Sequence, residues 1–205
     1  MTVTNGDSMT TLIAGLGGQG VVLASGVLAQ AALLAGYDVR QSEMHGLSQR
    51  FGSVSSQVRI GKGLYSTHRG HGAVDLLVSL EGFEAFKQLP FLRPEGTAMV
   101  NRLWRKPVAA KPPASVATSA TPPAPLPNDP RITWFSGTEA TQLANCPRSL
   151  NFYMLGVLST RMEIDDMYWH EAIGASTSKR GRDVNYDMFA AGRQSAIRAP
   201  SSRPS

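Results

Sequence analysis

The chain has 205 residues, 42% of them hydrophobic, which suits one core-bearing domain with appendages rather than two full domains. A single cysteine, Cys146, excludes an internal disulfide and a self-contained iron–sulfur cluster. The net charge of +5 owes much to late, scattered positions (Lys179, Arg180, Arg182, Arg193, Arg198, Arg203), so a solvated basic surface or a patch for an acidic partner or phosphate is expected, not a nucleic-acid site. The first ten residues lack the basic start and apolar stretch of a signal peptide, and segment 21–34 is too short and too rich in Ala and Gly to span a bilayer. A soluble, cytoplasmic protein with no membrane partner is expected.

The elements follow in chain order. Residues 1–10 are expected to be flexible. TLIA at 11–14 is a short apolar, β-branched run ending in Gly15, and a helical pattern begins near Gly20, so strand, glycine turn and helix are predicted. The helix, 21 to about 35, carries small residues that allow close packing on a sheet, and Gly36 suits its C-terminal cap. A second strand is predicted at 37–41. The polar, glycine-punctuated stretch SEMHGLSQRFG that follows reads as a loop or short irregular helix. Val54, Ser56, Val58 and Ile60 alternate with Ser55, Gln57 and Arg59, as in a strand with one buried and one polar face, and GKG at 61–63 suggests a hairpin turn into 64–68.

Segment 75–80 reads as a buried strand, 82–89 as a helix, Pro94-Glu95-Gly96 as a turn and 97–101 as a strand. Proline and small residues dominate 107–130, predicting an exposed, partly extended insertion. Order resumes with a strand at 131–135, a short helix at 138–144 and an apolar helix at 151–160 that buries Tyr153, Met154, Val157 and Leu158. Further helices are predicted at 165–175, capped by Asp165, and at 185–194, before a disordered tail at 199–205. The whole predicts an α/β, Rossmann-like domain over 11–198, with a mostly parallel sheet flanked by helices, a hairpin excursion and a Pro/Ala-rich insertion.

Gly15-Leu16-Gly17-Gly18-Gln19-Gly20 fits G-x-G-x-x-G between a strand and a helix. Without β-carbons, backbone amides can approach a phosphate, which the helix N-terminus favours electrostatically. The same glycines also suit a tight turn, close helix-to-sheet contact or a neighbouring subunit's backbone. A dinucleotide site would want an acid at the end of the second strand; Glu43 is the candidate, and Asp38 lies too early. The stretch from Met44 to Ser53 gathers His45, Gly46, Gln49, Arg50, Gly52 and Ser53. His45 could act as acid or base and Arg50 could grip a carboxylate or phosphate; equally, Gln49 and Arg50 could satisfy backbone groups and tie the loop to the sheet edge. His68 and His71 lack a carboxylate or thiol at a metal-ligand spacing and read as turn residues, Cys146 as an inert thiol, and Trp104, Trp134 and Trp169 as core or interface residues.

Taken together, GLGGQGVVLASGVLAQAALLAGYDV, SEMHGLSQRFGSVSSQVRIG, NRLWRKP, NFYMLGVL and NYDMFAAGRQ resemble the gamma-type domain of 2-oxoacid:ferredoxin oxidoreductases, and HGLSQR is most similar to the small subunit of the indolepyruvate-specific enzymes. The resemblance spans the chain apart from the linker and tail. It implies a small, cofactor-free subunit, inactive alone, of a complex that oxidatively decarboxylates an aryl-pyruvate with coenzyme A and passes electrons to ferredoxin. Thiamine diphosphate and iron–sulfur clusters are then expected on a large alpha subunit. It places Gly15, Gly17, Gly18, Gln19 and Gly20 in the family's glycine loop, as a coenzyme A or phosphate contact or a subunit interface. His45, Gly46, Gln49, Arg50, Gly52 and Ser53 fall in a second signature, a substrate or interface loop; no catalytic residue and no metal site is assigned to this chain. Two features depart from the family pattern: Phe51, where a second glycine is common, and the Pro/Ala-rich linker. A free-standing NAD(P)-dependent enzyme and a purely structural assembly subunit are the alternatives.

Overall fold

The computed structural model describes residues 8–45, 52–64, 70–105 and 129–199, with His45 described by its backbone alone. Six strands form one sheet: β1 (Met9–Leu16), β2 (Asp38–His45), β3 (Ser53–Gly61), β4 (Val74–Ser79), β5 (Leu92–Asn101) and β6 (Ile132–Phe135), in the order β2-β3-β1-β4-β5-β6. β1, β4, β5 and β6 pair in parallel, while β3 runs antiparallel to both of its neighbours, β1 and β2. The sheet is therefore mostly parallel, as the sequence predicts.

Successive residues of β1 face opposite sides of the pleat. Ile13 joins one apolar cluster, with α1 (Val21–Leu34), α4 (Leu150–Ser159), α5 (Asp166–Ser176) and α6 (Arg182–Arg198). Leu12 and Ala14 join the other, with Ala85 and Phe86 of α2 (Gly82–Gln88) and with Trp134. The short α3 (Gly137–Leu143) packs against α4 and α6. All ten residues of α4 are buried, including the four expected to be. Its pairing with α6 is backbone to backbone: a β-carbon added at Gly156 would stand 2.0 Å from the Phe189 carbonyl oxygen, and one at Gly192 would stand 1.9 Å from that of Tyr153.

Helix α1 ends as expected. Gly36, at φ 85°, follows the cap Ala35; its N–H donates to the Leu33 carbonyl at 3.0 Å and that of Tyr37 to the Ala32 carbonyl at 3.1 Å, which closes a Schellman motif. Asp165 precedes α5 but its side chain makes no capping bond. α6 runs three residues earlier and four later than 185–194.

Several expectations need correction. The N-terminal segment is ordered from the strand at Met9: Met9 and Thr10 are buried in β1. β2 and β3 pair antiparallel. Ser42, Glu43, Met44 and His45 continue β2 rather than forming a loop, because all eight residues of β2 find backbone partners on β3. Leu64 belongs to no strand, and 65–69 lie outside the described residues. The polar face of β3 is not open to water: Ser55 and Gln57 are buried. Pro94-Glu95-Gly96 is an irregularity inside β5, where the pairing with β4 jumps from Val74–Leu92 to Leu76–Thr97. Of the Pro/Ala-rich stretch predicted at 107–130, residues 107–128 lie outside the described residues, as do 1–7 and 200–205.

Candidate functional site

The carboxyl ends of the parallel strands lie side by side. Ala14 of β1 pairs with Ser79 of β4, Ser79 with Val100 of β5, and Asn101 with Phe135 of β6. β3 begins at this same edge, since Leu16 is opposite Ser53. The glycine motif and the end of the second signature are therefore neighbours, although the sequence separates them by over thirty residues. The Gly17 N–H donates to the Gly52 carbonyl at 2.9 Å and joins them directly.

Gly15 is a strand residue, not a turn residue. Its β-carbon position is taken: an added methyl would lie 2.7 Å from Gln19 Oε1 and 3.2 Å from Leu80 Cβ. Gln19 folds back so that Oε1 accepts from the Leu16 N–H at 2.7 Å, and the Gln19 N–H donates to the Leu16 carbonyl at 3.0 Å. This glutamine closes the turn on itself. Gly18 and Gly20 have φ of 93° and 82°, in the left-handed region that favours glycine. Around Gly18 there is open space, whereas a β-carbon on Gly20 would stand 2.7 Å from Asn151 Nδ2.

Gly20 caps α1 without a side-chain acceptor, and the first turn holds no acid. The residues thus fit an anion there: an open glycine at the loop tip and helix amides with no competing carboxylate. Two buried polar atoms border the loop without partners among the described residues, Gln19 Nε2 and Asn151 Oδ1. Asn151, 2% exposed, was not singled out by the sequence reading; it lies at the start of the NFYMLGVL segment.

Behind the loop stands a buried pair of carboxylates that sequence reasoning also missed. Glu81 caps α2, accepting from the Glu84 N–H at 2.8 Å and from the Arg105 N–H at 2.9 Å. Glu84 accepts from Ser53 Oγ and is paired with Lys87 Nζ at 2.6 Å. Burial raises the Glu81 carboxyl above its ordinary range; the backbone donors of Arg105, Glu84 and Phe83 oppose this, and the nearby Glu84 charge adds to it. The E-x-x-E spacing at 81 and 84 was the available signal, resembling a capping pair. Asn101, fully buried, donates to Thr138 Oγ1 at 2.8 Å and accepts from the Thr138 N–H at 3.0 Å, tying β5 to α3.

Of the second signature, Gly52 and Ser53 are placed at the glycine loop. The His45 backbone pairs with Val54, and Gly46, Gln49, Arg50 and Phe51 lie outside the described residues, as does His68. Glu43 is ill placed for a dinucleotide ribose: β3 lies between β2 and β1, so it stands two strand spacings, roughly 10 Å, to the side of the glycine strand. His71 packs edge-on against Phe91, Trp104 and Trp134 pack together at 5.5 Å, and Trp169 packs on Phe189. Cys146 is half-buried, and burial, then the charge of Asp187, pushes its thiol pKa up. Among the described residues, no three His, Cys, Asp or Glu side chains gather at metal-binding distance, and no helix is long and apolar enough to cross a membrane.

An open, mostly parallel sheet with helices on both faces and a glycine loop at its carboxyl edge makes this an α/β protein of Rossmann-like design. The structure is similar to the gamma subunit of a keto/oxoacid ferredoxin oxidoreductase from Geobacter sulfurreducens, with a TM-score of 0.69 over 93% of this chain and 99% of that one at 22% identity. It is also similar to part of the 2-oxoglutarate:ferredoxin oxidoreductase of Magnetococcus marinus, solved with 2-oxoglutarate, coenzyme A and succinyl-CoA, with a TM-score of 0.72 over 96% of this chain but 32% of that one at 18% identity. Residues 10–195 match the pyruvate ferredoxin/flavodoxin oxidoreductase family, and the chain belongs to it. In sequence it is 32% identical over 152 residues to the indolepyruvate oxidoreductase subunit IorB of Methanothermobacter thermautotrophicus, covering 70% of this chain and 74% of the relative. It is 43% identical over 90 residues to the IorB of Thermococcus kodakarensis, where the match spans 44% of this chain and 45% of the relative's length.

Proposed function

We propose that this chain is the small subunit of a 2-oxoacid:ferredoxin oxidoreductase acting on indolepyruvate or a related aryl-pyruvate, without a cofactor of its own and inactive alone. The observation that carries the reading is the family match over nearly the whole chain, joined to relatives that are named indolepyruvate oxidoreductase subunits. Thiamine diphosphate and iron–sulfur clusters belong on the larger alpha subunit, where they supply carbanion stabilisation and electron transfer to ferredoxin. Coenzyme A takes the acyl group.

The part played by this chain is to position and enclose. The amide end of α1 and the open Gly18 favour a phosphate of coenzyme A or a backbone of the large subunit at the carboxyl edge. The bonds from Gly17 to Gly52 and from Ser53 to Glu84 tie the glycine loop to the start of β3 and the start of β3 to α2. Arg50 offers a guanidinium suited to a carboxylate or phosphate.

The test is co-expression with the large subunit of the same genome, purification by a tag on this chain, and assay of indolepyruvate- and coenzyme A-dependent reduction of ferredoxin. Activity in the pair that neither chain has alone is the expected result. Binding of NAD(P) or activity in the lone chain, without association, would overturn it. Within an active pair, Gln19→Ala and Arg50→Ala are expected to raise the KM for coenzyme A or indolepyruvate; unchanged kinetics in both would leave the chain a structural assembly subunit.

A further inference from the structure

α1 is uncharged on every side and almost wholly apolar. Of its fourteen residues, VVLASGVLAQAALL, only the buried Ser25 and the exposed Gln30 are polar. A helix of that composition normally lies inside a protein, because water on any side meets hydrocarbon. Here one side faces water. Val22 is 41% exposed, Leu23 38% and Leu33 52%, and Gly26, with open space above it, lies between them. At 100° per residue Val22, Leu23, Gly26, Gln30 and Leu33 fall within roughly 100° of the circumference, one continuous stripe along the helix. Of the other strongly exposed apolar side chains among the described residues, Leu143 lies on α3, Met167 on α5, and Val184 and Ile197 on α6 thirteen residues apart, about 140° apart around the helix. Isolated exposure of that kind is ordinary; a stripe is not.

We infer that the outward stripe of α1 is a docking surface, and that its occupant is the large subunit of the same oxidoreductase, through an apolar and uncharged face. This rests on the subunit reading above. Three observations favour that occupant over a second copy of this chain. The same fold is found within a chain about three times as long, making up 32% of it, so the fold exists as one part of a larger continuous enzyme. The stripe begins at Val22, beside the glycine loop, so one covering chain would continue onto the carboxyl edge where the proposed function sets a backbone of the large subunit. The net charge of +5 opposes bringing two copies face to face.

The experiment uses the full chain co-expressed with the large subunit of its own genome. Leu23→Glu and Leu33→Glu place a carboxylate in the stripe, and Leu143→Glu, at a side chain 90% exposed on α3, serves as the control. Both stripe variants should retain roughly tenfold less large subunit on tag purification, because an unpaired carboxylate is costly to bury, while the control retains the wild-type amount. Circular dichroism and the melting temperature of each lone variant should match the wild type. Stripe variants that hold the large subunit as well as the wild type would overturn the inference while leaving the subunit reading intact. A lone wild-type chain that is dimeric by light scattering and becomes monomeric on Leu33→Glu would also overturn it, assigning the stripe to a second copy. Failure of the wild type itself to retain the large subunit would overturn the subunit reading and this inference together.

Discussion

Gly18 and Gly20 have the same left-handed backbone in different surroundings, and so separate two reasons for glycine. At Gly18 alanine meets only the backbone penalty, about 1–2 kcal/mol, since nothing lies within 4 Å of the added carbon. At Gly20 the same penalty is joined by overlap with Asn151, and the total should exceed that at Gly18 by about 1 kcal/mol or more. Urea unfolding of the two variants checks the order; equal losses would mean that Asn151 simply moves aside. Glu81 offers a pH signature. Burial raises its folded pKa above the unfolded one, so its favourable contribution is complete below the ordinary carboxylate range and is lost as pH rises through the raised value. Melting temperatures of wild type and Glu81→Gln, close at about pH 4 where both side chains are neutral, should therefore separate as pH rises, the wild type losing more stability over that climb. Parallel curves would show that Glu81 titrates as it does in water.

At the scale of elements, the contact of α4 with α6 is the least tolerant place in the fold. Gly156 and Gly192 each let a helix backbone reach the other, and a methyl group at either meets a carbonyl oxygen about 2 Å away. Gly156→Ala and Gly192→Ala should each cost about 3 kcal/mol or more, since neither backbone can yield without displacing a wholly buried helix. Thermal unfolding measures this, and a loss under 1 kcal/mol would show that the helices part easily. The helices themselves were legible from apolar periodicity and from turn chemistry, as with Gly36. β2 was not. Its second half, Ser42 to His45, has no apolar pattern, and it is extended because β3 supplies a backbone partner for every residue.

For the whole molecule, an assembly held by the apolar stripe of α1 should resist salt. Raising sodium chloride to about 1 M shortens the screening length to about 3 Å, which weakens exposed ion pairs but not the burial of Val22, Leu23 and Leu33. Retention of the large subunit on tag purification should be unchanged between low and high salt. Loss of the complex at high salt would assign the association to the scattered basic residues instead.

By itself the sequence determined the glycine turn, the succession of strands and helices, the mostly parallel sheet and the family, because glycine chemistry, apolar period and ordered motifs are local properties of the chain. Only the tertiary structure decided that β3 would insert between β1 and β2, taking Glu43 away from the glycine loop and bringing Gly52 and Ser53 to it. It also decided that Asn151, Glu81 and Glu84 would be buried behind that loop. The physical reason is that strand order and the burial of polar groups depend on partners far away in the chain, and no local pattern encodes which partner arrives.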